Sequence, residues 1–145
     1  MRTFPVLGFC SIWLGLSASV SGQIPVFNRA QFNSSAGLAL QGDASISGQR
    51  AVLTPALAGK VGGVWHSQKR NLRDGFETTF TFQISESNNG GGEGVAFVIQ
   101  NAAVPSLGPA GPAMGYGGLN NSVALEFDTR QSSASEPAAR SSWFL

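Results

Sequence analysis

Two stretches of the chain alternate apolar and polar residues with a period of two, and almost nothing carries a helical period. In the run Gly75-Phe-Glu-Thr-Thr-Phe-Thr-Phe-Gln-Ile-Ser85, Phe76, Thr78, Phe80, Phe82 and Ile84 fall on one side, and Glu77, Thr79, Thr81 and Gln83 on the other. This spacing predicts a long, half-buried β-strand. The second stretch, 121–129, places Val123, Leu125 and Phe127 at odd positions and Ala124, Glu126 and Asp128 at even ones. It predicts a strand that buries its odd face and projects both acids from the more solvent-accessible side. Between them, Val95 to Gln100 is apolar on both faces, the pattern of a central strand. Shorter strands are predicted at Leu38 to Leu40, Ala44 to Ile46, Ala51 to Thr54 and Gly63 to Ser67. Gly, Asn, Ser and Pro separate these runs, with long turn-rich segments at Ser85 to Gly94 and Pro105 to Gly118. The sequence therefore predicts an all-β sandwich or barrel with no internal repeat.

The two ends of the chain follow different rules. Met1 and Arg2, the apolar run Val6 to Leu16 and the small residues Ser17 to Gly22 have the order of a secretory signal peptide, so residues 1–22 are expected to be removed and the protein exported. That apolar run is too short to span a bilayer, and no later segment approaches the roughly 20 apolar residues a membrane helix needs. The single cysteine, Cys10, lies inside the leader, so a mature chain has neither a disulfide nor a thiolate metal site. Without Arg2 the basic and acidic residues balance, which gives no electrostatic reason to expect a nucleic acid or an anionic membrane as partner. Beyond Gln131, residues 132–145 lack periodicity, and bulky apolar residues return only at Trp143-Phe-Leu145. That tail is expected to be disordered, leaving one domain, 23–131, that ends before a second sheet is built.

Glu126 and Asp128 carry the candidate chemistry. Two carboxylates roughly 7 Å apart on one face of a strand repel each other unless they share something positive. A bound cation and a pair of catalytic carboxyls are both open on that ground alone. Gly90 to Gly94 lacks the Lys-Ser/Thr ending of a phosphate-binding loop and no helix pattern follows it. His66, the only histidine, sits beside Trp65 with no acid or serine motif near it and reads as structural.

Four motifs in order resemble the legume lectin (L-type lectin) domain, especially its bacterial and other non-plant members. They are Gly75 to Phe82, Gly91-Gly-Glu-Gly-Val-Ala-Phe-Val-Ile-Gln-Asn101, Gly115-Tyr-Gly-Gly-Leu-Asn-Asn-Ser122 and Val123-Ala-Leu-Glu-Phe-Asp-Thr129. The resemblance covers about Phe27 to Gln131. It implies a concanavalin A-like jelly-roll β-sandwich that binds glycans beside a calcium ion and a transition metal, usually manganese. Carried over residue by residue, it implies Glu126 as a transition-metal ligand, Asp128 as the carboxylate bridging both ions and Arg130 as a backbone-carbonyl ligand. It also implies sugar contacts from Glu93, where the family carries an aspartate, and from the loop at Gly117 and Gly118. The chain departs from the family at Ser132, where an asparagine is the rule, and it has no aspartate or histidine after Asp128.

Related jelly-roll glycoside hydrolases carry Glu-x-Asp-x-x-Glu on one strand and need two carboxyls about 5–5.5 Å apart. Here the run is Glu126-Phe-Asp-Thr-Arg-Gln131, and Gln131 can act as neither acid nor base. The sequence thus predicts a secreted, non-enzymatic carbohydrate-binding domain with a damaged metal loop. A structural or adhesion module that kept only the fold is the further alternative.

Overall fold

The computed structural model describes residues 27–85, 92–103, 106–130 and the backbone of 140–144. The expected signal peptide, most of the tail and Gln131 lie outside the described residues. Regular structure among them is β-strand apart from a 3-10 turn, Gly111–Ala113.

Seven strands form three antiparallel groups: β1 (Leu38–Gly42), β2 (Ser45–Ser47), β3 (Arg50–Val52), β4 (Gly62–His66), β5 (Gly94–Gln100), β6 (Ser122–Asp128) and β7 (Arg140–Phe144). Strand β1 pairs with β4, β2 with β3, and the remaining three run in the order β5-β6-β7. The β2–β3 hairpin turns through Gly48 and Gln49, both with positive φ (55° and 64°). Two successive left-handed residues make a turn whose twist matches that of the flanking strands. Strand β4 is tied to the Pro- and Gly-rich segment by the Trp65 indole, whose Nε1–H donates to the Ser106 carbonyl at 2.7 Å.

Each short strand predicted from the pattern forms within a residue or two of its expected place. The run with the strongest alternation does not. Gly75 to Ser85 has no assigned strand, and Phe76, Phe80, Phe82 and Ile84 all expose more than two fifths of their surface. The predicted sidedness nevertheless holds where it can be seen. Phe80 stacks on Phe97 of β5 with ring centroids 5.3 Å apart, and Phe82 lies 4.8 Å from Phe127 of β6. These aromatic contacts hold the segment over the odd face of β6 through side chains rather than through a ladder of backbone hydrogen bonds.

Two expectations are corrected. The even face of β6 is the better buried one: Ala124, Glu126 and Asp128 are buried, whereas Val123, Leu125 and Phe127 are half-buried. The cause lies in what covers each face. The odd face meets the partly exposed Phe80 and Phe82, while the even face is approached by Tyr116 from the 106–121 segment and borders the chain at Leu119 and Ser122. The tail, expected to be without regular structure, contributes β7, which pairs with β6 from Ala124↔Phe144 to Asp128↔Arg140. Strand β6 already has β5 on one side, and its other edge offers unpaired N–H and C=O groups that an extended segment can satisfy.

Candidate functional site

The register of β5 against β6 prepares room for the acids. Ala96 lies directly opposite Glu126, and Gly94 opposite Asp128. Cross-strand neighbours in an antiparallel pair share a face, so on the β5 side the two carboxylates meet a methyl group and a hydrogen, while in the β7 register Ser142 stands opposite Glu126 and Arg140 opposite Asp128. Two polar partners for the acids come from loops.

Glu126 is only 6% exposed, and its Oε1 accepts a hydrogen bond from the Tyr116 hydroxyl. Asp128, 8% exposed, accepts at Oδ1 from the backbone N–H of Arg130 at 3.0 Å, a local turn of the kind a short carboxylate side chain favours. Burying a carboxylate is costly unless hydrogen bonds replace its water, and these donors do so in part. The Tyr116 phenol is itself held in its neutral form. Burial raises its pKa first, and donation to Glu126 and that group's charge add to the rise.

Tyr116 is delivered by a segment that bonds mainly to itself. Met114 N–H donates to Gly111, Gly115 N–H to Pro109, and Tyr116 and Gly117 N–H both to Ala113, at 2.8 to 3.0 Å. The two glycines proposed for sugar contact differ in what requires them. A Cβ on Gly117 would come within 2.8 Å of the Ala113 Cβ, so close packing demands glycine there. Gly118 has open space around it but a φ of +80°, a conformation that side-chain-bearing residues rarely adopt. Downstream, Tyr116, Gly118, Leu119, Asn120, Asn121, Ser122 and Ala124 line an open hollow of about 410 Å³ on the even face of β6.

A second group gathers at the end of the β5–β6 pair. The Thr129 N–H donates to the Glu93 carbonyl and its hydroxyl to the Gly92 carbonyl, both at 2.9 Å. The Arg130 guanidinium stands 3.5 Å from a Glu93 carboxylate oxygen, on a more exposed flank. The structure thus brings Glu93, Asp128 and Arg130 to one end of the sheet, and Glu126 to Tyr116 and the glycine turn. The sequence pattern does not assign Tyr116, Asn120 or Asn121 to the site. The signal was there in a lone tyrosine set between glycines shortly before the acids, but no spacing rule links a loop hydroxyl to a strand carboxylate.

The implied calcium and manganese can be tested against these donors. Calcium takes six to eight oxygen ligands, and manganese sites mix carboxylate with imidazole or water. Among the described residues no three Asp, Glu, His or Cys side chains gather into one site. Two carboxylates supply fewer donors than a calcium and manganese pair requires, so the described residues do not fit one.

Fold and site together define a β-sandwich of the lectin class, built around an acid-bearing strand and a glycine-turn hollow. Residues 25–140 match the legume lectin domain family, and the chain belongs to that family, whose fold is the concanavalin A-like β-sandwich. It is also similar to Agglutinin-2 of Cladrastis kentukea, with 33% identity over 170 aligned positions that cover 95% of this chain. The chain spans 57% of the length of that relative.

Proposed function

We propose that this chain is a carbohydrate-binding, non-enzymatic lectin domain whose glycan seats in the hollow over β6. The observation that carries the reading is the composition of that hollow: two side-chain amides (Asn120, Asn121), the Ser122 hydroxyl and the Tyr116 ring around a Gly118 turn. Amides offer both donors and acceptors, which matches the paired hydroxyls of a sugar ring. An aromatic ring supplies apolar surface for the ring's C–H face, and a few convergent polar groups fix orientation. Membership of the legume lectin family and the likeness to an agglutinin support the same reading.

Glu93 belongs to this proposal as a flanking acid at the sheet end, held beside Arg130. Gly117 supports the wall of the hollow by its packing on Ala113 rather than through its N–H, which donates to the Ala113 carbonyl. Export through the leader at 1–22 is part of the proposal, and N-terminal sequencing of protein recovered from a culture medium tests it.

A glycan array probed with the full chain, followed by calorimetric titration of the strongest hit, tests the function. Retention of a glycan with loss of at least tenfold in affinity on Asn120→Ala or Asn121→Ala is the expected result. A folded chain that retains no glycan would make it a structural module instead. Release of reducing sugar from β-glucan would restore the hydrolase.

A further inference from the structure

We infer that the hydroxyl of Tyr116 takes, from within the chain, the place a cation would fill at Glu126, so that the acid-bearing strand is held without metal. The misfit between the donors present and the implied metal pair is the starting point. Two acids at alternate positions of one strand share a buried face, and each must replace its lost hydration. On the β5 side the neighbours across the ladder, Ala96 and Gly94, bear no donor on their side chains. From outside the sheet two donors reach the acids: the Arg130 N–H reaches Asp128, and the Tyr116 hydroxyl reaches Glu126.

The loop is constructed to make that delivery. Its 3-10 turn, with Pro112 at the start, and the chain of backbone bonds around Ala113 position residue 116 before any side-chain contact is counted. The loop doubles back on itself where the Gly108 N–H donates to the Gly115 carbonyl at 2.7 Å. The phenol then forms the bridge between this preorganised loop and β6, joining residues ten apart in the chain. A hydroxyl donor differs from a cation in one testable respect. It stabilises the carboxylate to the same degree whether or not free metal is present, whereas a metal site binds only the folded state and so raises the melting midpoint with metal concentration. Tyr116 is a positioning residue in this scheme, acting through Glu126 on the wall of the hollow.

The experiment uses thermal unfolding of the full chain in chelator, in calcium and in manganese, alongside Tyr116→Phe and Glu126→Gln. The expected result for the unaltered chain is one midpoint in all three solutions. Tyr116→Phe should lower it by several degrees equally in each solution. Glu126→Gln, whose amide oxygen still accepts from the phenol but offers no charge to a metal, should stay closer to the unaltered chain than Tyr116→Phe does. A midpoint that falls in chelator or climbs with either metal overturns the inference, as does a Tyr116→Phe chain that melts like the original. Should Tyr116→Phe fail to fold, the chelator and metal series on the unaltered chain decides alone. The inference rests on the lectin reading only in calling the hollow a glycan site. Metal-indifferent melting in a chain that retains no glycan would sink that reading and leave this one standing.

Discussion

Strand β6 and the segment Gly75 to Ser85 both alternate cleanly, yet one sits between two hydrogen-bonded neighbours and the other has no assigned strand. Their side-chain periodicity is equivalent, so the difference cannot come from it. What separates them is backbone partnership. Strand β6 has β5 within reach through the Gly92 to Thr129 closure and β7 on its other edge, whereas among the described residues Gly75 to Ser85 meets the sheet through the rings of Phe80 and Phe82. Alternation reports which side chains share a face. It does not report whether the N–H and C=O groups between them are paired.

Substitutions can break or sharpen this contrast. The largest effect is expected from Leu125→Pro, which removes a ladder donor from a strand bonded on both sides. It should cost about 3 kcal/mol or more, a fall in melting midpoint of roughly 12 °C or greater. Gly94→Ala comes next, because its Cβ would stand 2.2 Å from the Phe127 carbonyl oxygen at a φ of +142°. Denaturant unfolding should register a loss of about 2 kcal/mol or more. Phe80→Ala should cost about 1–2 kcal/mol by the same measurement, below the range for a fully buried phenylalanine, since 43% of Phe80 faces solvent.

A pH prediction concerns β6 alone. The Tyr116 pKa is raised in the folded state, so its contribution is complete below the ordinary tyrosine value of about 10 and declines as pH climbs from there toward the folded value. Stability should therefore fall on the alkaline side. Because Tyr116 is the only tyrosine, its ultraviolet phenolate signal should rise later in the folded chain than in the denatured one. Coincident titrations would contradict the described hydrogen bond. The smallest effect is expected from Thr79→Pro, within about 0.5 kcal/mol, because the segment it interrupts has no ladder to lose. A cost near that of Leu125→Pro would mean that Gly75 to Ser85 is a paired strand after all.

Much of the fold was legible in the residues. Val95 to Gln100 and the 121–129 run mark β5 and β6 because their apolar content and alternation leave no other regular structure, and β1 to β4 follow from short runs with apolar residues between turns. The burial of Glu126 and Asp128 was not legible. Sequence pattern ranks the faces of a strand by hydrophobicity, and here the polar face is covered by a loop whose tyrosine donates to one acid. Strand β7 was hidden for a related reason. Arg140-Ser-Ser-Trp-Phe144 has no alternation to announce it, and backbone pairing to a waiting edge requires none. The site was half visible: the acids stand out as a pair, while the hydroxyl and amides around them become a site only once the 106–121 segment folds over the sheet.

The bond from Trp65 to Ser106 joins residues 41 apart, and that from Thr129 to Gly92 spans 37. Contacts of that reach form only after long stretches of chain have been brought together, and the entropy of closing those loops is lost before the contacts can offset it. The domain should consequently fold on the millisecond-to-second scale of β-rich proteins rather than in microseconds. Its slow step would be the arrival of the Pro- and Gly-rich segment at β4, a moment that the fluorescence of Trp65 is placed to time.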